Sequence, residues 1–170
     1  MPEPLMPDWC RIDTDLAVAK IQITGAEDAP QRLGVALGVG APAPNRFTSN
    51  GDIALSAVAP GEWLLTGTSD GVADALNRAE AAFPHETILA VDLTHGRVVL
   101  RLEGPEGQDW LAALTPLDLR AERLPTGAAV RTRFGDIGMF IARTSDIPAF
   151  LLIADQSYAG YILHILGNPS

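Results

Sequence analysis

Asp92 lies three residues before His95 in the run Asp92-Leu93-Thr94-His95-Gly96-Arg97. A carboxylate and an imidazole at that spacing can share a turn, and such a pair is part of many acid–base sites. No serine or cysteine nucleophile lies within this run, and the chain has no G-K-[ST] phosphate loop. A carboxylate beside a turn is first of all a turn stabiliser, and that is the role expected of Asp92. His85, His95 and His164 are isolated, with no H-x-x-x-H or C-x-x-C spacing, so neither a metal site nor a catalytic residue is assigned.

Two further patterns bear on ligands. Gly38-Val39-Gly40-Ala41-Pro42-Ala43 satisfies G-x-G-x-x-A, but it follows a helical pattern and runs into Pro44, whereas a dinucleotide loop must follow a strand and open a helix. It reads as a connecting loop. Arg97 and Arg101 share one face of an alternating run, and Arg131 and Arg133 share one face of another. If the two strands are neighbours, four guanidinium groups line one side of a sheet, a surface suited to an acidic partner or an anion. Trp9 precedes any folded element and completes the candidate partner surface as an interface anchor, while Trp63 and Trp110 fall on apolar stripes and are expected in the core.

The chain of 170 residues is long enough to bury a real core, and 47% of it is hydrophobic, with a mean hydropathy of +0.15. The single cysteine, Cys10, excludes an internal disulfide. A net charge of −9 argues against nucleic acid or an anionic membrane as the main partner. No apolar run reaches the ~20 residues of a membrane-spanning helix. The first 15 residues carry Pro2, Pro4 and Pro7 and lack the basic and apolar blocks of a signal peptide, so a cytoplasmic protein is expected.

The elements that must position these residues come in two similar sets. Ile23-Thr24-Gly25-Ala26-Glu27 matches Leu102-Glu103-Gly104-Pro105-Glu106, and Gly51-Asp52-Ile53 matches Gly135-Asp136-Ile137, each about 80 residues apart and in the same order. In the first set a strand over 16–24 precedes a helix opened by Pro30, then a hairpin turns at Pro60-Gly61. A helix follows, with Asp70 as its expected N-cap and Val72, Leu76, Ala79 and Phe83 on one face, and a strand over 88–93 closes the set. In the second set a strand over 97–103 leads into a helix carrying Trp110, Leu111 and Leu114. A hairpin at Gly135-Asp136 and a strand over 150–154 come next. The final helix, capped by Asp155 or Ser157, is expected to turn Tyr158, Ile162, Ile165 and Leu166 inward and to end at Gly167 and Pro169. This predicts an α+β fold made of a duplicated unit, each a mostly antiparallel sheet with helices on one side, with an N-terminal arm (1–15), a first repeat (16–94) and a second (95–170).

Several runs in this order resemble the gamma subunit family of heterotetrameric sarcosine oxidase: Pro60-Gly61-Glu62-Trp63-Leu64-Leu65, Asp92-Leu93-Thr94-His95-Gly96-Arg97, Pro116-Leu117-Asp118-Leu119, and Phe150 to Leu152 with Ser157-Tyr158-Ala159. Thr94 stands where the family usually has serine, Thr115 where it often has cysteine, and Ala59 where the first motif has glycine. The resemblance implies a fold like the folate-binding domain of aminomethyltransferases. It implies a non-catalytic subunit of a complex that oxidatively demethylates sarcosine to glycine. It places FAD, FMN, NAD and tetrahydrofolate in the larger alpha and beta subunits, with zinc near the delta subunit, and none of these in this chain. The alternative is a free-standing folate-binding protein of one-carbon metabolism, its arginine faces holding the glutamate tail of folate.

Overall fold

The computed structural model describes residues 6–167; Pro169, expected to end the last helix, lies outside them. Elements run in chain order from β1 (Cys10–Ile12) through β2 (Ala17–Thr24), α1 (Ala29–Leu37), β3 (Phe47–Ser49), β4 (Ile53–Ala59), β5 (Glu62–Gly67), α2 (Ser69–Ala82) and β6 (Thr87–Asp92). A 3-10 turn (Thr94–Gly96) leads to β7 (Arg97–Glu103), α3 (Gly104–Ala112), β8 (Ala129–Phe134), β9 (Ile137–Ser145), β10 (Ala149–Asp155) and α4 (Ala159–Gly167), the last preceded by a 3-10 turn over Gln156–Tyr158. The chain divides into two compact units. One spans Asp15–Thr94, and the other takes in 95–167 together with residues 6–14.

The first unit is an antiparallel five-stranded sheet in the order β3-β4-β5-β2-β6. Alternation along β2 sends Ala17, Ala19, Ile21 and Ile23 to one face, where they meet Leu55, Trp63 and Leu65 from the neighbouring strands and Leu33, Leu37, Val72, Ala75 and Ala79 from the two helices. Pro30 fits the first turn of α1, where its missing N–H costs nothing. Gly34 lets the following loop lie on the helix, since a Cβ there would sit 2.5 Å from the Gly40 carbonyl carbon. The N-cap of α2 is Thr68, not Asp70: the Thr68 hydroxyl accepts from the Gly71 amide at 3.0 Å, and Asp70 stands in the first turn, where a negative charge favours the helix dipole. Pro60-Gly61 turns the β4–β5 hairpin with Gly61 at φ 72°.

The second unit is also an antiparallel five-stranded sheet, in the order β1-β7-β10-β9-β8. Aligned on the matches at β2/β7 and β4/β9, the two sheets correspond strand for strand: β3-β4-β5-β2-β6 against β8-β9-β10-β7-β1. The helices α1 and α2 then correspond to α3 and α4. The strand that follows the second helix in the first unit is therefore supplied in the second by β1, from the other end of the chain. The segment expected to be a free arm is an edge strand, with Cys10 opposite Leu102 and Ile12 opposite Leu100. It was hidden from the sequence because three residues are too few to show a period.

Trp9, expected to precede any folded element, belongs to the packed structure of this unit. It is half-buried, its ring lies 5.5 Å from that of Trp110, and Gly107 of α3 leaves the room it occupies. The shared core holds Leu100, Leu102, Leu111, Phe134, Ile141, Phe150, Leu152, Ile162 and Leu166. Tyr158, expected to face inward, is 40% exposed because it falls in the 3-10 turn and not on the α4 stripe. Residues 113–128 form a long irregular connection fastened from within by Arg143. This residue is 2% exposed, and its guanidinium donates to the carbonyls of Leu119, Leu124, Ser145 and Asp146 and lies over Phe150.

Burial pushes the Cys10 thiol up to about 11, so it stays protonated at pH 8 and reports the opening of β1. We expect Cys10 to resist a thiol reagent at pH 8 in the native protein, and Trp9→Ala to accelerate labelling by about tenfold or more, the mark of local release. Because the folded thiol titrates above its unfolded value of 9.0, this contribution to stability is complete below pH 9 and declines as pH rises towards 11.

Candidate functional site

Asp92 ends β6, and its carboxylate accepts from the Thr94 amide at 2.8 Å and from the Thr94 hydroxyl at 2.6 Å, a local turn of the kind short acidic side chains form. The same hydroxyl accepts from the amide of Val18, which is 0% exposed, at 3.0 Å. Thr94 thus ties the end of β6 to the start of β2, where the Leu93 amide also bonds to the Val18 carbonyl at 2.7 Å. His95 is exposed in the turn. The residues with the spacing of an acid–base pair build a strand terminus.

The four arginines all lie on the face of the second unit's sheet opposite its helices, but they do not form one patch. β7 and β8 are not neighbours: β10 and β9 stand between them, so the pairs are about 14 Å apart at ~4.8 Å per strand. Across that gap run Leu151 and Ile153 of β10 and Phe140 and Ala142 of β9. Each pair also has local carboxylates. Arg101 donates to Asp13 at 2.8 Å, where the side chains are 27% and 10% exposed. Arg97 lies 3.6 Å from Asp155, whose carboxyl is held below its usual range by hydrogen bonds from the Ser157 amide and hydroxyl and by Arg97. Arg131 and Arg133 are exposed on the edge strand β8, Arg133 reaching Asp136 at 3.9 Å.

One arginine was missed. Arg11 of β1 is directly opposite Arg101, and Asp13 accompanies the pair. Only the recognition of β1 as a strand could have found it. Among the described residues there is no group of three or more His, Cys, Asp or Glu placed to hold a metal ion. The Gly38–Ala43 segment follows the C-terminus of α1, with Gly38 in the left-handed cap, and so lacks the helix N-terminus that a phosphate requires.

The first unit carries a groove of about 640 Å³ lined by Pro30, Pro42, Pro44, Ala57, Pro60 and Trp63 among others, with no charged side chain in its lining. It suits apolar side chains, not an anion. Between the two helices, Arg32 of α1 holds Glu86 at 2.6 Å and Asp28 at 3.4 Å and lies over Phe83. The Glu86 carboxyl is held low by its hydrogen bond from Arg32. These groups fasten α1 to the end of α2, where Arg32 also reaches the Ala82 carbonyl at 2.7 Å.

Comparison with known proteins decides the family. The family model described as "Sarcosine oxidase, gamma subunit family" matches residues 25–170. The chain belongs to the sarcosine oxidase gamma subunit family. Among solved structures, a chain of the heterotetrameric sarcosine oxidase from Corynebacterium sp. U-96, in complex with pyrrole 2-carboxylate, superposes with a TM-score of 0.83 at 22% identity, covering 98% of this chain and 84% of that one. The glycine cleavage system aminomethyltransferase T from Bartonella henselae gives 0.70 at 16% identity over 94% of this chain and 45% of that one. The regulatory subunit of aspartate kinase from Thermus thermophilus gives 0.52 at 17% identity, covering 92% of this chain and 94% of that one. A search of curated proteins gave no match. The likenesses establish the expected α+β fold, related to the aminomethyltransferase.

Thr94→Ala is expected to cost about 1–3 kcal/mol in chemical denaturation, because it strands the buried Val18 amide. Thr94→Ser, which keeps the hydroxyl, should restore most of that stability, and His95→Ala should leave it within about 0.5 kcal/mol.

Proposed function

We propose that the chain serves as the gamma subunit of a heterotetrameric sarcosine oxidase, and that it supports the oxidative demethylation of sarcosine to glycine without performing a chemical step. The observation that carries this reading is family membership across residues 25–170. In this reading the partners are the alpha, beta and delta subunits. FAD, FMN, NAD and tetrahydrofolate belong to the larger two, zinc lies near the delta subunit, and the complex works in the cytoplasm. No helix among the described residues is long and apolar enough to cross a membrane.

Two features of the site support an accessory role. The Asp92 carboxylate is engaged by the Thr94 amide and hydroxyl, and the Arg97 and Arg101 guanidiniums by carboxylates of their own unit. The free-standing folate reading had four arginines on one surface for the glutamate tail, and the separation of β7 from β8 does not bring those four into one patch.

Co-expression with its large subunits and purification through a tag on this chain should give a yellow, stoichiometric complex. Leaving this chain out should lower the yield of assembled flavoprotein several-fold. A colourless, solitary chain recovered in the presence of those subunits would sink the reading.

A further inference from the structure

The two sheets have four edges, and three of them carry features that discourage strand addition. β1 and β3 are three residues long, and β8 presents Arg131 and Arg133. The fourth, β6, is Thr87-Ile88-Leu89-Ala90-Val91-Asp92. It is six residues long, carries no lysine, arginine or proline, and pairs with β2 in unbroken register, so no bulge turns it aside. Leu89 on it is 50% exposed.

Its backbone groups divide by alternation. The Leu93 amide bonds to the Val18 carbonyl, and register then assigns Thr87, Leu89 and Val91 to the bonds with β2. The amides and carbonyls of Ile88 and Ala90 point the other way. Among the described residues no strand pairs with that side of β6. The edge therefore offers donors and acceptors two residues apart, the spacing an extended chain matches.

We infer that β6 is the docking edge for an extended segment of a larger partner subunit, which adds a strand to the first unit's sheet. This rests on the gamma-subunit reading. Charge selects a partner over a second copy of this chain. Two copies would bring −9 against −9, whereas a partner strand carrying Lys or Arg would meet an acidic chain. An apolar side chain of the added strand would lie beside Leu89.

Ala90→Pro and Leu89→Lys, each co-expressed with the large subunits, test this. The proline deletes an amide that points away from β2 and leaves the bonds of Leu89 and Val91 in place. The lysine replaces an exposed side chain outside the core. Both variants should keep the thermal transition of the isolated wild-type chain and bind the flavin-bearing partner about tenfold more weakly or worse, the order expected for one net hydrogen bond or an uncompensated contact. Amide exchange in the wild-type complex should slow at Ile88 and Ala90 and change little at Leu89 and Val91, an alternation that mere covering of the strand would not produce. If the flavin complex forms, yet both variants bind as wild type and exchange at Ile88 and Ala90 is unchanged, the edge inference is wrong and the gamma-subunit reading stands. A wild-type chain that forms no flavin complex overturns both. A dimer of this chain that Ala90→Pro abolishes would overturn the choice of partner.

Discussion

The pairing of β1 with β7 is the interaction on which the second unit rests. A sheet whose inner face carries Leu100, Leu102, Phe150 and Leu152 needs an edge that satisfies the backbone of β7 on its outer side, and nothing between residues 95 and 167 supplies it. Three residues from the start of the chain do so. They bring Trp9 over α3 and Trp110, and Asp13 onto Arg101. Strand pairing, aromatic packing and an ion pair thus converge on one short segment, each reinforcing the ordering of the others.

Arginine has two uses in this acidic chain. Arg143 is buried and its guanidinium donates to carbonyls, which gives the irregular stretch before β8 the hydrogen-bond donors it would otherwise draw from water. Along the same stretch Asp118 binds Arg120, whose guanidinium holds that carboxyl down at about 2, so this exposed link persists to low pH. The arginines on β7 pair with carboxylates of their own unit, and those on β8 stand on an edge strand, where Arg133 reaches Asp136. The same residue type therefore fastens a loop in one place and keeps a strand solitary in another.

The duplicated architecture was legible because its strands are long and regular. The alternation from Leu100 to Leu102 and the turn residues Pro60-Gly61 each follow from local sterics, and the paired motifs at β2/β7 and β4/β9 placed the repeats in register. The exchange of β6 for β1 was not legible, because pairing between Cys10 and Leu102 leaves no trace in the spacing of either. The expectation of one arginine surface failed for a related reason: periodicity gives the face of a strand, and only topology gives its neighbours. Thr68 took the cap expected of Asp70 because both are good caps and the first turn can begin at either, a choice that hydrogen-bond geometry makes and composition does not.

The permuted strand also imposes an order in time. Residues 6–14 leave the ribosome before the whole first unit, yet the partner of Cys10, Leu102, lies 92 positions after it. The first unit can close as soon as residue 94 has emerged, while the segment 6–14 waits with Trp9 exposed until the strands of the second unit have been made. Synthesis thus holds the two members of one strand pair apart while the whole first unit is made, and the second unit is completed only when its later-made strands return to that earlier segment.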